Sequence, residues 1–255
     1  MDIFDFEKWI FNNFNIDLSA YKSNQLHRRI NSLMSRVGAK NLQEYTYMLA
    51  EDKEQKQKFL DFITINVTEF FRNPELFDEL RKKIKEELLV KNNSLKVWSA
   101  ACSTGAEPYS LAMILDELAP LGRHKIIATD IDSTILSRAK LGEYQESEVK
   151  NIKDEYLNKY FKKQNNNYIV DYKLKSMINF IKHDLILDDY NKGLDLIVCR
   201  NVVIYFNTDV KNKIYKRFYD SLKPGGLLFV GATESIYNYK EFGFEKSSTF
   251  IYRKA

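Results

Sequence analysis

The sequence predicts an open, doubly wound α/β domain preceded by a small all-helical domain, and three observations predict it. From residue 95 onward, short apolar runs alternate with helical patterns, as in a parallel sheet covered by helices. Residues 1–72 carry helical periodicity and no strand-rich stretch. Residues 97–110, Val-Trp-Ser-Ala-Ala-Cys-Ser-Thr-Gly-Ala-Glu-Pro-Tyr-Ser, read as a buried strand, a loop of small residues and a helix start.

In the first domain, Ile3, Phe6, Trp9, Ile10 and Phe14 form one apolar helical stripe. Leu26, Ile30, Leu33, Met34 and Val37 form a second, which Gly38 can end. Further helices are expected over 42–49 and 55–63. Residues 73–94 read as a linker helix, with Asn73 as N-cap, Pro74 in the first helical position and Glu75 in the first turn. In the domain at 95–255, strands are expected at 95–100, 125–129, 178–182, 194–199 and 227–231. Helices are expected near 108–118, 133–141 and 208–222. Pro224-Gly225-Gly226 supplies a turn before the fifth strand, and Thr249-Phe250-Ile251-Tyr252 reads as a last strand. Residues 143–177 are too long for a simple connection. The alternating run at 168–174 and the turn Asn165-Asn166-Asn167 predict a small β-subdomain insertion there.

A chain of 255 residues, 44% hydrophobic and 29% charged, has the composition of a soluble globular protein. No apolar run reaches the length of a membrane span, so no direct membrane insertion is expected. The acidic N-terminus lacks a signal-peptide pattern. Cys102 and Cys199 make no disulfide framework and read as small core residues, so a cytoplasmic location is expected. His27, His124 and His183 are too scattered to suggest a metal site.

Ligands of such sheets sit beyond the carboxyl ends of the strands. The loop after the first strand has one glycine, not the three of a dinucleotide fingerprint, and the chain has no Gly-Lys-Ser/Thr. A pyrophosphate cradle is therefore not expected, and the P-loop reading is removed. An adenosine-type ligand without a polyphosphate remains, and S-adenosylmethionine fits that description. The strand ends offer Ser103, Thr104, Gly105 and Glu107, then Asp130 and Asp132, then His183, Asp184 and Leu185, then Arg200 and Asn201. Asp130 is placed to accept from ribose hydroxyls, and Asp132 to cap the next helix. Glu107 at a helix N-terminus suits either a cap or a contact to a ligand's ammonium or hydroxyl groups. Arg200 follows four apolar residues, an expensive place for a surface arginine.

Lys22, Gln25, Arg29, Ser32 and Arg36 share a helical stripe, Arg28 lies beside it, and no acidic residue stands between Lys22 and Lys40. Solvated helix faces usually mix signs. A one-sign face suits an acidic partner, either a nucleic acid or an acidic protein helix.

Taken together, five blocks resemble the chemotaxis receptor glutamate methyltransferases, the CheR family, over nearly the whole chain. They are Ile65-Asn66-Val67-Thr68-Glu69-Phe70-Phe71-Arg72, the stretch from Trp98 to Gly105, Ala128-Thr129-Asp130-Ile131-Asp132, Cys199-Arg200-Asn201-Val202-Val203-Ile204-Tyr205-Phe206, and Leu222-Lys223-Pro224-Gly225-Gly226. The resemblance implies a helical N-terminal domain and a Rossmann-like class I methyltransferase domain with a three-stranded β-subdomain. It implies methyl transfer from S-adenosylmethionine to receptor glutamates, leaving S-adenosylhomocysteine. It implies that Asn66, Thr68, Arg72, Glu107, Asp130, Asp184, Leu185, Arg200 and Asn201 bind the cofactor. It further implies that Lys22, Arg28, Arg29, Arg36 and Lys40 dock the helical cytoplasmic region of the receptor, with nucleic acid excluded as a partner. In some members the β-subdomain also binds a receptor C-terminal peptide by strand addition, and members often act as monomers.

This chain departs from the family in two places. The usual Gly-Glu-Glu-Pro-Tyr-Ser stands here as Gly105-Ala106-Glu107-Pro108-Tyr109-Ser110, so the ligand contact is assigned to Glu107. Asp184-Leu185 stands where Asn-Leu is common.

A sulfonium methyl is already activated and a glutamate is already ionised at pH 7. Alignment and removal of water are then the enzyme's main tasks, and no general base is expected. Arg72 or Arg200 is expected to hold the substrate carboxylate, with Tyr205 lining the methyl pocket or serving as an ordinary packing residue. Two rivals stand beside this reading. A nucleic-acid methyltransferase would show an Asn/Asp-Pro-Pro-Tyr/Phe type of motif where Arg200-Asn201-Val202-Val203 stands. An adaptor would bind the cofactor without turnover.

Overall fold

Four helices make up most of the first of two units in a computed structural model that describes residues 1–64 and 68–255. They are α1 (Ile3–Phe14), α2 (Ser23–Val37), α3 (Leu42–Glu51) and α4 (Lys53–Thr64). Asp2 caps α1 by accepting from the Asp5 amide at 2.8 Å, and Gly38 ends α2 in the left-handed region at φ 75. The apolar stripes face inward. Phe6 stacks on Tyr45 at 6.0 Å and meets Phe59 edge-on at 6.3 Å. The unit, Met1–Asn66, also includes Tyr205–Asn212. Tyr21 and Phe206 form a β-bridge there, their rings 5.1 Å apart.

The second unit comprises Val67–Ile204 and Lys213–Ala255. It begins its regular structure with α5 (Pro74–Lys83), which runs into one wider turn, Ile84–Leu88. There follow β1 (Lys96–Ala100), α6 (Ala106–Leu118), β2 (Lys125–Asp130) and α7 (Ser133–Leu141). The insertion contributes β3 (Glu143–Gln145), α8 (Glu146–Val149), α9 (Asp154–Tyr160), β4 (Phe161–Gln164), β5 (Asn167–Val170) and α10 (Tyr172–Met177). The chain closes with β6 (Ile178–Lys182), β7 (Leu194–Cys199), α11 (Thr208–Ser221), β8 (Leu222–Val230), β9 (Phe244–Lys246) and β10 (Ile251–Lys254).

The main sheet runs β6-β2-β1-β7-β8-β10-β9. The pairs from β6 to β8 are parallel, and β10 is antiparallel to both of its neighbours. Strand order reverses between β1 and β7, so their carboxyl ends flank the topological switch point. Every residue of β7 is buried, as expected of a parallel strand covered on both faces. The insertion forms its own sheet, β3-β5-β4.

Several elements differ from the sequence reading. The helix read as a linker is a core element of the second unit. Leu76, Phe77 and Leu80 are buried, and Phe77 meets Phe229 of β8 edge-on at 5.9 Å. The apolar face of α5 is thus spent on the sheet. Pro224-Gly225-Gly226 lies within β8 as an irregularity, where pairing jumps from Leu194↔Leu222 to Leu196↔Leu227. The alternating run at 168–174 stays extended only to Val170, because Asp171 accepts from the Lys173 amide at 2.9 Å and starts α10. Strand β9 carries no separate signal in the sequence. Among the described residues no helix is long and apolar enough to cross a membrane.

Candidate functional site

The loop leaving β1 is unusually bent. Ala101, Ser103 and Gly105 all sit in the left-handed region, at φ 63, 49 and 90. Three of its amides are held within the unit. Cys102 donates to the Thr129 carbonyl at 2.8 Å, Ser103 to Asp130 Oδ2 at 2.8 Å and Gly105 to the Cys102 carbonyl at 3.0 Å.

Asp130 ends β2 with its side chain buried. One oxygen accepts from the Ser103 amide and the other from the Asp132 amide, at 2.8 and 3.1 Å. The carboxylate keeps lone-pair capacity for a further donor. Burial pushes this carboxyl up to about 6, with the Asp132, Ser103 and Ile131 amides opposing the shift. Asp132 caps α7, accepting from Thr134 and Ile135 at 2.8 and 3.3 Å.

Glu107, in the first turn of α6, is buried. Ser99 of β1 donates its hydroxyl to Glu107 Oε1 at 2.8 Å, and Arg200 Nη1 lies 3.7 Å from Oε2. Burial raises the carboxyl, while Arg200 and the Ser99 hydroxyl pull it back. Arg200, at the exit of β7, is 6% exposed. Its Nη2 donates to the Arg72 carbonyl at 2.7 Å and to Asn73 Oδ1 at 3.0 Å. The guanidinium lies over Phe77 at 5.1 Å and Phe229 at 4.9 Å. Asn73 does precede α5, but its side chain makes no capping bond; the oxygen is turned to Arg200. The second unit thus brings Arg72, Glu107 and Arg200 together around the switch point.

Asp184 is buried beyond β6. Its Oδ1 accepts from the Ile186 and Leu187 amides at 2.7 and 3.3 Å, so one oxygen is already committed to holding its own loop. Leu185 is buried beside it, its carbonyl accepting from the Tyr190 phenol at 2.7 Å. Thr68 and Arg72 are half-buried in the second unit, whereas Asn66 lies outside the described residues. Cys102 and Cys199 are buried free thiols.

Sequence reasoning missed Glu234. It lies just past β8, 4% exposed, and gathers the amides of Asn201 (2.5 Å), Val202 (2.9 Å) and Gly231 (3.0 Å). Burial raises its carboxyl and these amides oppose the rise. Asn201 is held left-handed at φ 61. A Cβ on Gly231 would stand 2.5 Å from Glu234 Oε2, so a larger residue there would displace the carboxylate that gathers these amides. The single signal in the sequence is an acidic residue soon after an apolar strand.

Tyr205 belongs to the first unit. Its carbonyl accepts from the Lys22 amide at 2.9 Å, and it lines a small pocket with Tyr21, Lys22, Gln25 and Arg29. Arg29 is half-buried, donates to the Phe62 carbonyl and lies 4.4 Å over the Phe62 ring. Lys22, Arg28, Arg36 and Lys40 are exposed.

An adenosyl ligand fits this chemistry. A buried carboxylate with acceptor capacity closes β2. Ser103 Oγ and Arg200 Nε are buried with no hydrogen bond among the described residues. Glu107 supplies negative charge within the same cluster.

Comparison with known proteins agrees. The family model "CheR methyltransferase, all-alpha domain" matches residues 1–64, and "CheR methyltransferase, SAM binding domain" matches residues 66–251. A protein of Listeria monocytogenes named chemotaxis protein methyltransferase is 38% identical over 99% of this chain and 97% of its own length. Proteins of the same name from Borreliella burgdorferi and Escherichia coli are 35% and 33% identical, covering 95% and 89% of this chain and 91% and 81% of theirs. The chain therefore belongs to the CheR methyltransferase family, an all-α domain followed by a class I methyltransferase domain that takes S-adenosylmethionine as its cofactor.

Proposed function

We propose that this enzyme transfers the cofactor's methyl group to glutamate side chains of chemotaxis receptors, forming methyl esters during sensory adaptation. The observation that carries the reading is the family match across both domains, with relatives named for chemotaxis aligned over almost the full chain. The basic face of α2 supports it, because Lys22, Arg28, Arg36 and Lys40 present one sign of charge to solvent, as docking on an acidic helical bundle requires. A cytoplasmic location and action as a monomer belong to the same reading.

S-adenosylmethionine supplies an activated methyl on a sulfonium. The chain supplies placement. Asp130 would accept from the ribose hydroxyls. Glu107 would hold the ammonium of the methionine part, Asp184, Leu185 and Asn201 would border the rest, and Thr68 and Asn66 would contribute as the family resemblance implies. Arg200 has its Nη2 engaged with Arg72 and Asn73 and its Nη1 facing Glu107, so it anchors the site. The substrate carboxylate falls to Arg72, whose own carbonyl Arg200 holds. Tyr205 borders a small pocket with Lys22 and Arg29 within the first unit. A carboxylate nucleophile needs no base, and its hydration must be removed before in-line attack.

The test is incubation of the enzyme and methyl-labelled cofactor with receptor-containing membranes, then proteolysis and peptide sequencing. Label on glutamates of the receptor's helical region is expected. Label confined to lysine, to arginine or to nucleic acid refutes the reading.

A further inference from the structure

The small β3-β5-β4 sheet touches the loop at the switch point. Tyr144 is the middle residue of β3, paired with Tyr168 of β5 and buried at 2% exposure. Its phenol donates to the Thr104 carbonyl at 2.7 Å. Ala101 and Ser103 in that loop hold left-handed backbone, which is costly for a residue with a side chain. Such a conformation persists only where its surroundings over-determine it. Two anchors of the loop come from β2, through Thr129 and Asp130. Tyr144 is the anchor from the insertion. Gly105 is confined by the same side chain, since a Cβ there would stand 3.1 Å from Tyr144 Oη and 3.0 Å from the Ala139 Cβ.

The insertion also supports the segment that carries Arg72. Phe70 packs edge-on against Tyr144 at 4.8 Å and Phe161 at 5.7 Å. Phe71 stacks on Tyr156 of α9 at 5.7 Å. The insertion is itself fastened to α6, where Asp116 is buried, accepts from the Tyr160 phenol at 2.8 Å and lies 3.3 Å from Lys159. One small sheet thus braces both the 101–105 loop and the segment ending at Arg72.

We propose that the insertion is a buttress of the cofactor site, with Tyr144 the positioning residue that sets the 101–105 loop for S-adenosylmethionine. The proposal rests on the assignment of that loop to the cofactor. It gives the insertion a task in every turnover, separate from any peptide it binds.

The test compares Tyr144→Phe with Tyr109→Phe in the full chain. Each removes a buried phenol hydroxyl that donates to a backbone carbonyl, Tyr109 to Ala139 at 3.0 Å, so similar losses of thermal stability are expected from both. Calorimetric titration with S-adenosylhomocysteine and steady-state kinetics then separate them. Tyr144→Phe is expected to weaken binding and raise KM for S-adenosylmethionine about tenfold, with kcat changed by less than about twofold. Tyr109→Phe is expected to leave both constants in place. Equal affinity in the two variants overturns the proposal. Asp130→Asn tells apart the two ways it can fail. If Asp130→Asn binds weakly and Tyr144→Phe binds normally, the buttress is wrong and the cofactor site stands. If both bind normally, the cofactor rests neither on Asp130 nor on the loop that Asp130 and Tyr144 hold, and the proposal falls with that reading of the site.

Discussion

Arg200 donates through Nη2 to the backbone carbonyl of Arg72 at 2.7 Å, so the exit of β7 fixes the position of a residue far from it in sequence. The guanidinium lies over the rings of Phe77 and Phe229. There a planar fork fits and an ammonium does not. Arg200→Lys is expected to destabilise the fold by about 3 kcal/mol, because Glu107 and two acceptors lose their partner, and to weaken cofactor binding at least about tenfold. Urea denaturation and calorimetric titration check both. A stability within about 0.5 kcal/mol of the parent contradicts the assigned role.

Asp130, the proposed ribose acceptor, is expected to govern the pH dependence of cofactor binding. Its free carboxyl is pushed up to about 6 by burial, and it is the ionised form that accepts from two ribose hydroxyls. Affinity is therefore full above about pH 7 and falls as pH drops through about 6, approaching tenfold per unit below that. Asp130→Asn removes the inflection and lowers affinity above about pH 6, where the parent carboxyl is ionised. A parent profile flat between about pH 5 and 8 excludes Asp130 from ribose binding.

Glu234 acts through the backbone of the β7 exit. Glu234→Gln has one acceptor oxygen where two are used and turns an amine toward backbone donors. A loss of about 2 kcal/mol in unfolding free energy is expected, with a parallel loss of cofactor affinity as Asn201 leaves its left-handed geometry. Unchanged affinity at reduced stability would confine Glu234 to folding.

The basic face of α2 is tested at its exposed residues, because Arg29 is tied to the Phe62 carbonyl. The double variant Lys22→Glu with Arg36→Glu is expected to reduce receptor methylation about tenfold at low salt, with cofactor binding unchanged. Raising salt should narrow the gap as the charges are screened. Equal rates for parent and variant at every ionic strength refute receptor docking through this face.

The fold was legible where one residue type meets one local requirement. Gly38 ends α2 because only a left-handed cap was needed there, and Asp132 caps α7 because a short acidic side chain reaches the next amides. The strand–loop–helix at 97–110 pointed to an adenosyl ligand, since glycine count and absent lysine are sequence properties. What stayed hidden depends on side chains that meet across the fold. Asn73 has the right place for a cap, yet its oxygen serves Arg200 from the exit of β7. Glu234 and Tyr144 carry no periodic or motif signal, and their partners Asn201 and Thr104 are chosen by sheet topology. The α5 helix looked like a linker because amphipathic periodicity does not say which surface covers the apolar face.

The most direct measurement is label transfer from methyl-labelled S-adenosylmethionine to receptor-containing membranes, followed by mild alkali. Carboxyl methyl esters hydrolyse under those conditions and release volatile methanol, while methylated amines and bases retain their label. Volatile counts released from the receptor band are the predicted result. Counts stable to alkali, or no counts from an enzyme that binds the cofactor, would contradict receptor glutamate methylation.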